Sequence, residues 1–138
     1  MYNYKKHLIN DNAKIKDALL ILNKLSTDAI LFVVNKKMQL IGSLTDGDVR
    51  RGLLKNLKLD DFVKLFIQEN PKYIRKDNYN IKDIIDLREN NFKIIPIVDR
   101  QKKVINILNF RFQKSYLPLD AVIMAGGIGS RLKPLTDT

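Results

Sequence analysis

The run Leu40-Ile41-Gly42-Ser43-Leu44-Thr45-Asp46-Gly47-Asp48-Val49-Arg50-Arg51 changes character in its middle. Leu40 to Leu44 is apolar enough for a covered strand. Thr45, Asp46 and Asp48 are the residue types that open a helix, because they accept its unpaired N–H groups and complement its dipole. Capping alone accounts for these three polar residues. The strand before them, Gly42 and Arg50 bring in a second reading. Thr45 and Asp48 stand three apart where a hydroxyl, unpaired N–H groups and the helix dipole can converge on a phosphate. The Asp48 carboxylate can accept both cis hydroxyls of a ribose, and Arg50 and Arg51 can offset phosphate charge.

Working outward, the chain repeats itself. Asp11-Asn12-Ala13-Lys14-Ile15-Lys16-Asp17-Ala18 returns as Asp77-Asn78-Tyr79-Asn80-Ile81-Lys82-Asp83-Ile84, an offset of 83 − 17 = 66. Phe32-Val33-Val34-Asn35 returns as Pro96-Ile97-Val98-Asp99, an offset of 98 − 34 = 64. Each copy predicts a short strand (His7 to Ile9; Tyr73 to Ile74), a polar cap and an amphipathic helix. The helix face is Ile15, Ala18, Leu19, Leu22 and Leu25 in the first copy and Ile81, Ile84 and Ile85 in the second; both stripes are expected in the core. Two apolar strands follow across a polar turn: Ile30 to Val34 with Leu40 to Leu44, and Ile94 to Val98 with Val104 to Leu108. Leu59, Phe62, Val63 and Phe66 add an amphipathic turn between the copies, and Pro71 marks their boundary. A β-α-β-β-α unit is too small to bury its faces alone, so two should pack sheet against sheet about a pseudo-twofold axis.

With the repeat in place, the Leu40–Arg51 run resembles the end of a cystathionine β-synthase (CBS) domain, whose strand enters a helix through G-x-φ-T-x-x-D-φ-R (φ apolar). The resemblance spans roughly His7 to Phe112. It implies an α/β (α+β) tandem CBS-domain pair that senses an adenine nucleotide, AMP, ADP or ATP. It places an adenine slot on the first strand and on the strand after the first helix, here Leu8, Ile9, Asn10, Ala29, Ile30 and Leu31, beside Thr45, Asp48 and Arg50. CBS pairs commonly associate, so a homodimer is expected. The second copy departs from the pattern: at offset 64, Gly42 becomes Asn106, Thr45 becomes Asn109, Asp46 becomes Phe110 and Asp48 becomes Phe112. One nucleotide site per chain is expected rather than two.

The chain of 138 residues carries 25 Lys+Arg against 15 Asp+Glu, a net +10, which suits phosphorylated small molecules, nucleic acid or acidic lipid. Its lysines are scattered and its aromatics are not interleaved as a base-stacking platform requires, which disfavours nucleic acid. There is no cysteine, hence no disulfide or thiolate metal site, and neither a signal-peptide pattern nor a membrane-spanning stretch, so a soluble cytoplasmic protein is expected. His7, the one histidine, lacks a visible carboxylate partner and reads as a surface or packing residue.

Asp120 to Thr136 spell DAVIMAGGIGSRLKPLT, a strand running into a glycine-rich basic loop. Gly126, Gly127 and Gly129 allow a phosphate-hugging backbone and Arg131 supplies a forked charge. From Ala125 through Arg131, and on to Thr136, this resembles the AGGxGxRLxPLT opening of the sugar-phosphate nucleotidyltransferases. The resemblance divides the chain into residues 1–68 and 69–114 as two CBS domains, a linker at 115–119, and the truncated start of a nucleotidyltransferase at 120–138. The CBS pair then regulates its own C-terminal catalytic domain, which joins NTP and sugar 1-phosphate with Mg²⁺, and the present chain alone has no catalytic residues. Two rival expectations stand beside this one: a dimerisation module without ligand, and a nucleic-acid binder.

Overall fold

The computed structural model describes residues 3–112, which form two small sheets and three α-helices. The first sheet has the strand order β1-β2-β3-β4, with β1 Leu8–Asn10, β2 Leu31–Val34, β3 Leu40–Leu44 and β4 Gln68–Glu69. The second has the order β5-β6-β7, with β5 Ile74–Arg75, β6 Ile94–Val98 and β7 Val104–Asn109. In each sheet the first strand runs parallel to the second and the second antiparallel to the third, so the sequence repeat is a structural repeat. The two-residue strand β4 is the element the apolar pattern did not announce: both its residues are exposed and polar.

Helix α1, Ile15–Leu25, buries Ile15, Ala18 and Leu22 against the outer face of the first sheet, where Ile9, Leu31, Val33 and Leu44 meet them. A polar side-chain cap was expected at its start. Instead Lys14 occupies the cap position without a capping hydrogen bond, and carbonyls of the inter-copy segment take over: Ile15 N–H donates to Asp61 O at 3.0 Å and Lys16 N–H to Leu59 O at 3.1 Å. The amphipathic turn Val63–Leu65 thereby closes the first layer, with Val63 and Phe66 buried. Helix α2, Asp46–Leu54, lies over the same layer, and Gly52 leaves room there for the Phe66 ring.

Residues of β2, β3, β6 and β7 turn inward to form a layer between the sheets. Phe32, Val34 and Leu40 from the first sheet pack with Ile94, Val98, Val104 and Ile107 from the second. Two backbone hydrogen bonds related by the offset of 64 stitch the hairpin ends together: Leu40 N–H to Lys102 O at 2.9 Å and Val104 N–H to Met38 O at 3.1 Å. Met38 and Lys102 both adopt positive φ, 64° and 65°. Asn35 and Asp99 organise the two turns alike, each side-chain oxygen accepting N–H groups two and four residues on.

The second copy is less complete. Helix α3, Ile81–Glu89, has no fully buried residue, and Ile81 is 50% exposed. The expected core stripe is therefore only half covered, with Ile84 and Leu87 packing against Ile74, Ile95, Ile97 and Leu108. The counterpart of α2 would begin at residue 110, but 109–112 form a turn closed by Phe112 N–H to Asn109 O at 3.1 Å. Among the described residues, the β-α-β-β-α unit is whole in the first copy and reaches β7 in the second. Among the described residues, no helix is long and apolar enough to cross a membrane.

A methyl group on Gly52 would overlap the buried Phe66 ring. Gly52→Ala is expected to destabilise the chain by about 1–3 kcal/mol, read as a lower urea midpoint with an unchanged slope. Stability equal to the parent's would contradict this packing.

Candidate functional site

β3 delivers the chain to the start of α2, and the first turn there is a reciprocal cap. Asp48 N–H points to Thr45 Oγ1 at 3.4 Å, while Asp48 Oδ2 accepts Thr45 N–H at 2.9 Å and Thr45 Oγ1–H at 3.0 Å. The other carboxylate oxygen, Oδ1, accepts from Arg51 Nη2 at 2.5 Å. Asp48 is buried, only 8% exposed, whereas Arg51 is 60% exposed. Arg50 is exposed on the same turn. The helix start is thus fixed by an inward cap on one oxygen, and the second oxygen is held by a partner that water screens and can replace.

Strand register decides which other residues stand nearby. Leu31 pairs with Leu44, so Ile30 and Thr45, the next residues outward, lie at the same end of the first sheet. β1 enters the sheet with Leu8 opposite Phe32 and leaves it with Asn10 opposite Val34. Asn10 therefore sits four residues along β2 from Ile30, about 13 Å at strand rise. Asn10 Oδ1 is engaged by Asn12 N–H at 2.9 Å. Side chains also divide between faces. Leu8 and Ile30 pack in the layer between the sheets, whereas Ile9 and Ala29 pack in the helix-covered layer and can offer the inner cleft only backbone.

A cavity of about 210 Å³ opens at this end of the pair, lined by Ile30, Phe32 and Ser43 from the first copy and by Phe92, Ile94 and Ile95 from the second. The stretch from Gln68 to Lys72 forms its rim. Ser43 lies two residues before Thr45; Thr45 and Asp48 themselves are not among the lining residues. The second-copy wall and the β4 rim escaped sequence reading because they come from residues far away in the chain. His7 is fully buried, and its Nδ1–H donates to the Ile30 carbonyl at 2.9 Å, which pins the chain where Ile30 enters the cavity. Its packing role agrees with the sequence expectation, but the burial was not legible. Residues Ala125, Gly126, Gly127, Gly129 and Arg131 lie outside the described residues. Among those described, no cluster of three or more histidines and acidic residues could hold a metal ion.

Residues 7–55 match the family model of the CBS domain. Among curated proteins, an uncharacterized protein of Helicobacter pylori is 32% identical over 103 residues, covering 74% of this chain and 31% of the relative. The chain thus spans about a third of the length of the curated relatives it matches. Among solved structures, CBSX2 in complex with AMP superimposes with a TM-score of 0.60 at 25% identity, covering 75% of this chain and 80% of the other. A CBS-domain protein from Pyrobaculum aerophilum complexed with AMP gives 0.59 at 13% identity, covering 87% and 91%. The described residues have the fold of a CBS-domain pair.

Burial pushes the His7 imidazole below its ordinary pKa of 6.5, against a smaller opposing pull from its hydrogen bond to Ile30. In the unfolded chain the ring protonates first as pH falls, so stability is fully present above about 6.5 and declines below it. The melting temperature is expected to drop as pH is lowered through that range, and His7→Gln is expected to flatten the drop. An identical pH profile in the variant would contradict this assignment.

Proposed function

We propose, from the CBS-pair fold, that this chain is a regulatory module binding one adenine nucleotide, AMP, ADP or ATP, at the β3–α2 turn. The observation that carries the reading is that the Thr45–Asp48 turn follows, two residues on, from Ser43, which lines a cleft walled by both copies. In this reading the adenine enters the apolar cavity at Ile30, and the edges of its ring meet backbone groups near Ala29 and Ile30. The Asp48 Oδ2 contacts stay with the cap. The Oδ1 atom exchanges Arg51 for ribose hydroxyls, trading an exposed ion pair for charge-assisted bonds in a drier setting. Arg51, once released, joins Arg50 and the N-terminus of α2 at the phosphate. Solved CBS proteins of the same fold carry AMP, which supports an adenine ligand.

The same proposal extends to a parent enzyme. The support is the sequence DAVIMAGGIGSRLKPLT at 120–136, the phosphate-loop pattern of a sugar-phosphate nucleotidyltransferase, directly after the pair. A nucleotide bound between the copies would bias the pair, and a coupling of ~1–3 kcal/mol would alter activity severalfold. Magnesium would serve that catalytic domain alone. Homodimerisation through the CBS pairs belongs to the same proposal.

A second reading has its own observation: the Asp48 carboxylate is already satisfied by Thr45 and Arg51, as a ligand-free structural module would require. Titration calorimetry separates the two. The nucleotide reading expects one AMP, ADP or ATP per chain, with Asp48→Asn lowering affinity at least about tenfold while the chain stays folded. The structural reading expects no heat from any adenine nucleotide, and for Asp48→Asn only the loss of a cap worth about 1 kcal/mol.

A further inference from the structure

A second cleft lies beside the second copy's counterpart of the Thr45–Asp48 turn, with a lining of its own. At the offset of 64, Asn109 stands for Thr45, Arg111 for Gly47 and Phe92 for Asp28. Across this cleft Asp28, in the short turn after α1, accepts Arg111 Nη2 at 2.6 Å and Asn109 Nδ2 at 3.4 Å. Arg111 Nη1 donates to Thr27 Oγ1 at 3.2 Å, and Asn109 Oδ1 accepts the Arg111 backbone N–H at 3.0 Å. The three contacts to Asp28 and Thr27 join residues more than 80 positions apart, so they form only when the copies are docked. Asp28 is 7% exposed and Arg111 52%.

The clasp borders a cavity of about 330 Å³, larger than the one beside Ser43. Its lining includes the cations Arg88, Lys93 and Arg111, the Phe92 ring, and a single acid, Asp28. Without Asp28 this would be a phosphate-attracting recess with an aromatic wall. With it, Arg111 is already held by Asp28 and by Thr27, and an incoming phosphate would have to displace a buried carboxylate that keeps only Asn109 as its partner.

We infer that Asp28 is a resident counter-anion that shuts the second cleft to phosphate-bearing ligands. Resting on the one-nucleotide reading above, this makes Asp28 the residue that sets ligand stoichiometry and ties it to docking of the copies. Phe112 at the position of Asp48 removes the ribose anchor, and Asp28 removes the anion site.

The test uses the full chain and inorganic pyrophosphate, followed by calorimetry and thermal melting. Asp28→Asn keeps the shape and removes the charge; it is expected to take up one more pyrophosphate per chain than the parent, about tenfold tighter than anything the parent binds there. Adding Arg111→Gln to that variant should abolish the gain. A folded Asp28→Asn with the parent's uptake overturns the inference. Should Asp28→Asn not fold, Arg111→Gln alone decides: its substituted side chain is half exposed, and a melting temperature lower by several degrees is expected, whereas an unchanged one overturns the clasp. Parallel AMP titrations keep the two proposals apart. A parent that ignores AMP while Asp28→Asn gains pyrophosphate removes the nucleotide reading and leaves the clasp. A parent that binds one AMP while Asp28→Asn gains nothing does the reverse.

Discussion

The apolar layer between the two sheets is the constraint from which the rest of the molecule follows. A sheet of three or four short strands with one face open cannot bury enough surface to stand alone. Phe32, Val34 and Leu40 find cover only against Ile94, Val98, Val104 and Ile107. The crossed hydrogen bonds from Leu40 to Lys102 and from Val104 to Met38 then fix the docking register, because each satisfies a hairpin-end donor or acceptor that would otherwise face the partner sheet unpaired. Clefts arise at the ends of this layer, where the apolar side chains stop and the helix-entry turns begin.

The two clefts lie beside equivalent turns of the repeat and differ in lining and chemistry. One ends at a helix start whose Thr45 and Asp48 cap the chain through one carboxylate oxygen and leave the other to a screened arginine. Near the other, Asn109 and Arg111 reach across to Asp28, and the chain turns without a helix by residue 112. Duplication supplied two equivalent frames, and a handful of substitutions separated a replaceable polar contact from a buried clasp. In both pairs the acid is buried and the arginine at least half exposed, so neither adds much net stability; the clasp differs in joining the two copies, and acts more as a specifier of arrangement than as a source of cohesion. The fold matches CBS-domain pairs, and the divergence between its clefts is a property of this sequence.

Much of this architecture was legible because its signals are local. Unbroken runs such as Ile94 to Val98 announced doubly covered strands, and the period of Ile15, Ala18 and Leu22 announced a core-facing helix. The Thr45-x-x-Asp48 spacing announced a helix start. Other features were hidden for a common reason. β4 has no apolar residue to report it, the α1 N-terminus borrows carbonyls from residues 59–61, and Ile81 is half exposed although its counterpart Ile15 is fully buried. The adenine-slot positions implied by the resemblance split likewise: strand register sets Ile30 at the same end of the sheet as Thr45 and Asn10 at the far end.

The sequence by itself determined the repeat, the order of strands and helices apart from β4, and the polar turn where a ligand could meet the first copy. Those rest on residue type and spacing within a few turns of chain, the range over which hydrophobic period and capping act. Tertiary structure alone decided that His7 would be buried under Ile30, that Phe92 and Ile94 would wall the first cavity, and that Asp28 would find Arg111 more than 80 residues away. Nothing in the spacing of an isolated aspartate and a distant arginine marks them as partners; burial of the shared apolar layer brings them together, and once water is excluded the carboxylate must have its cation.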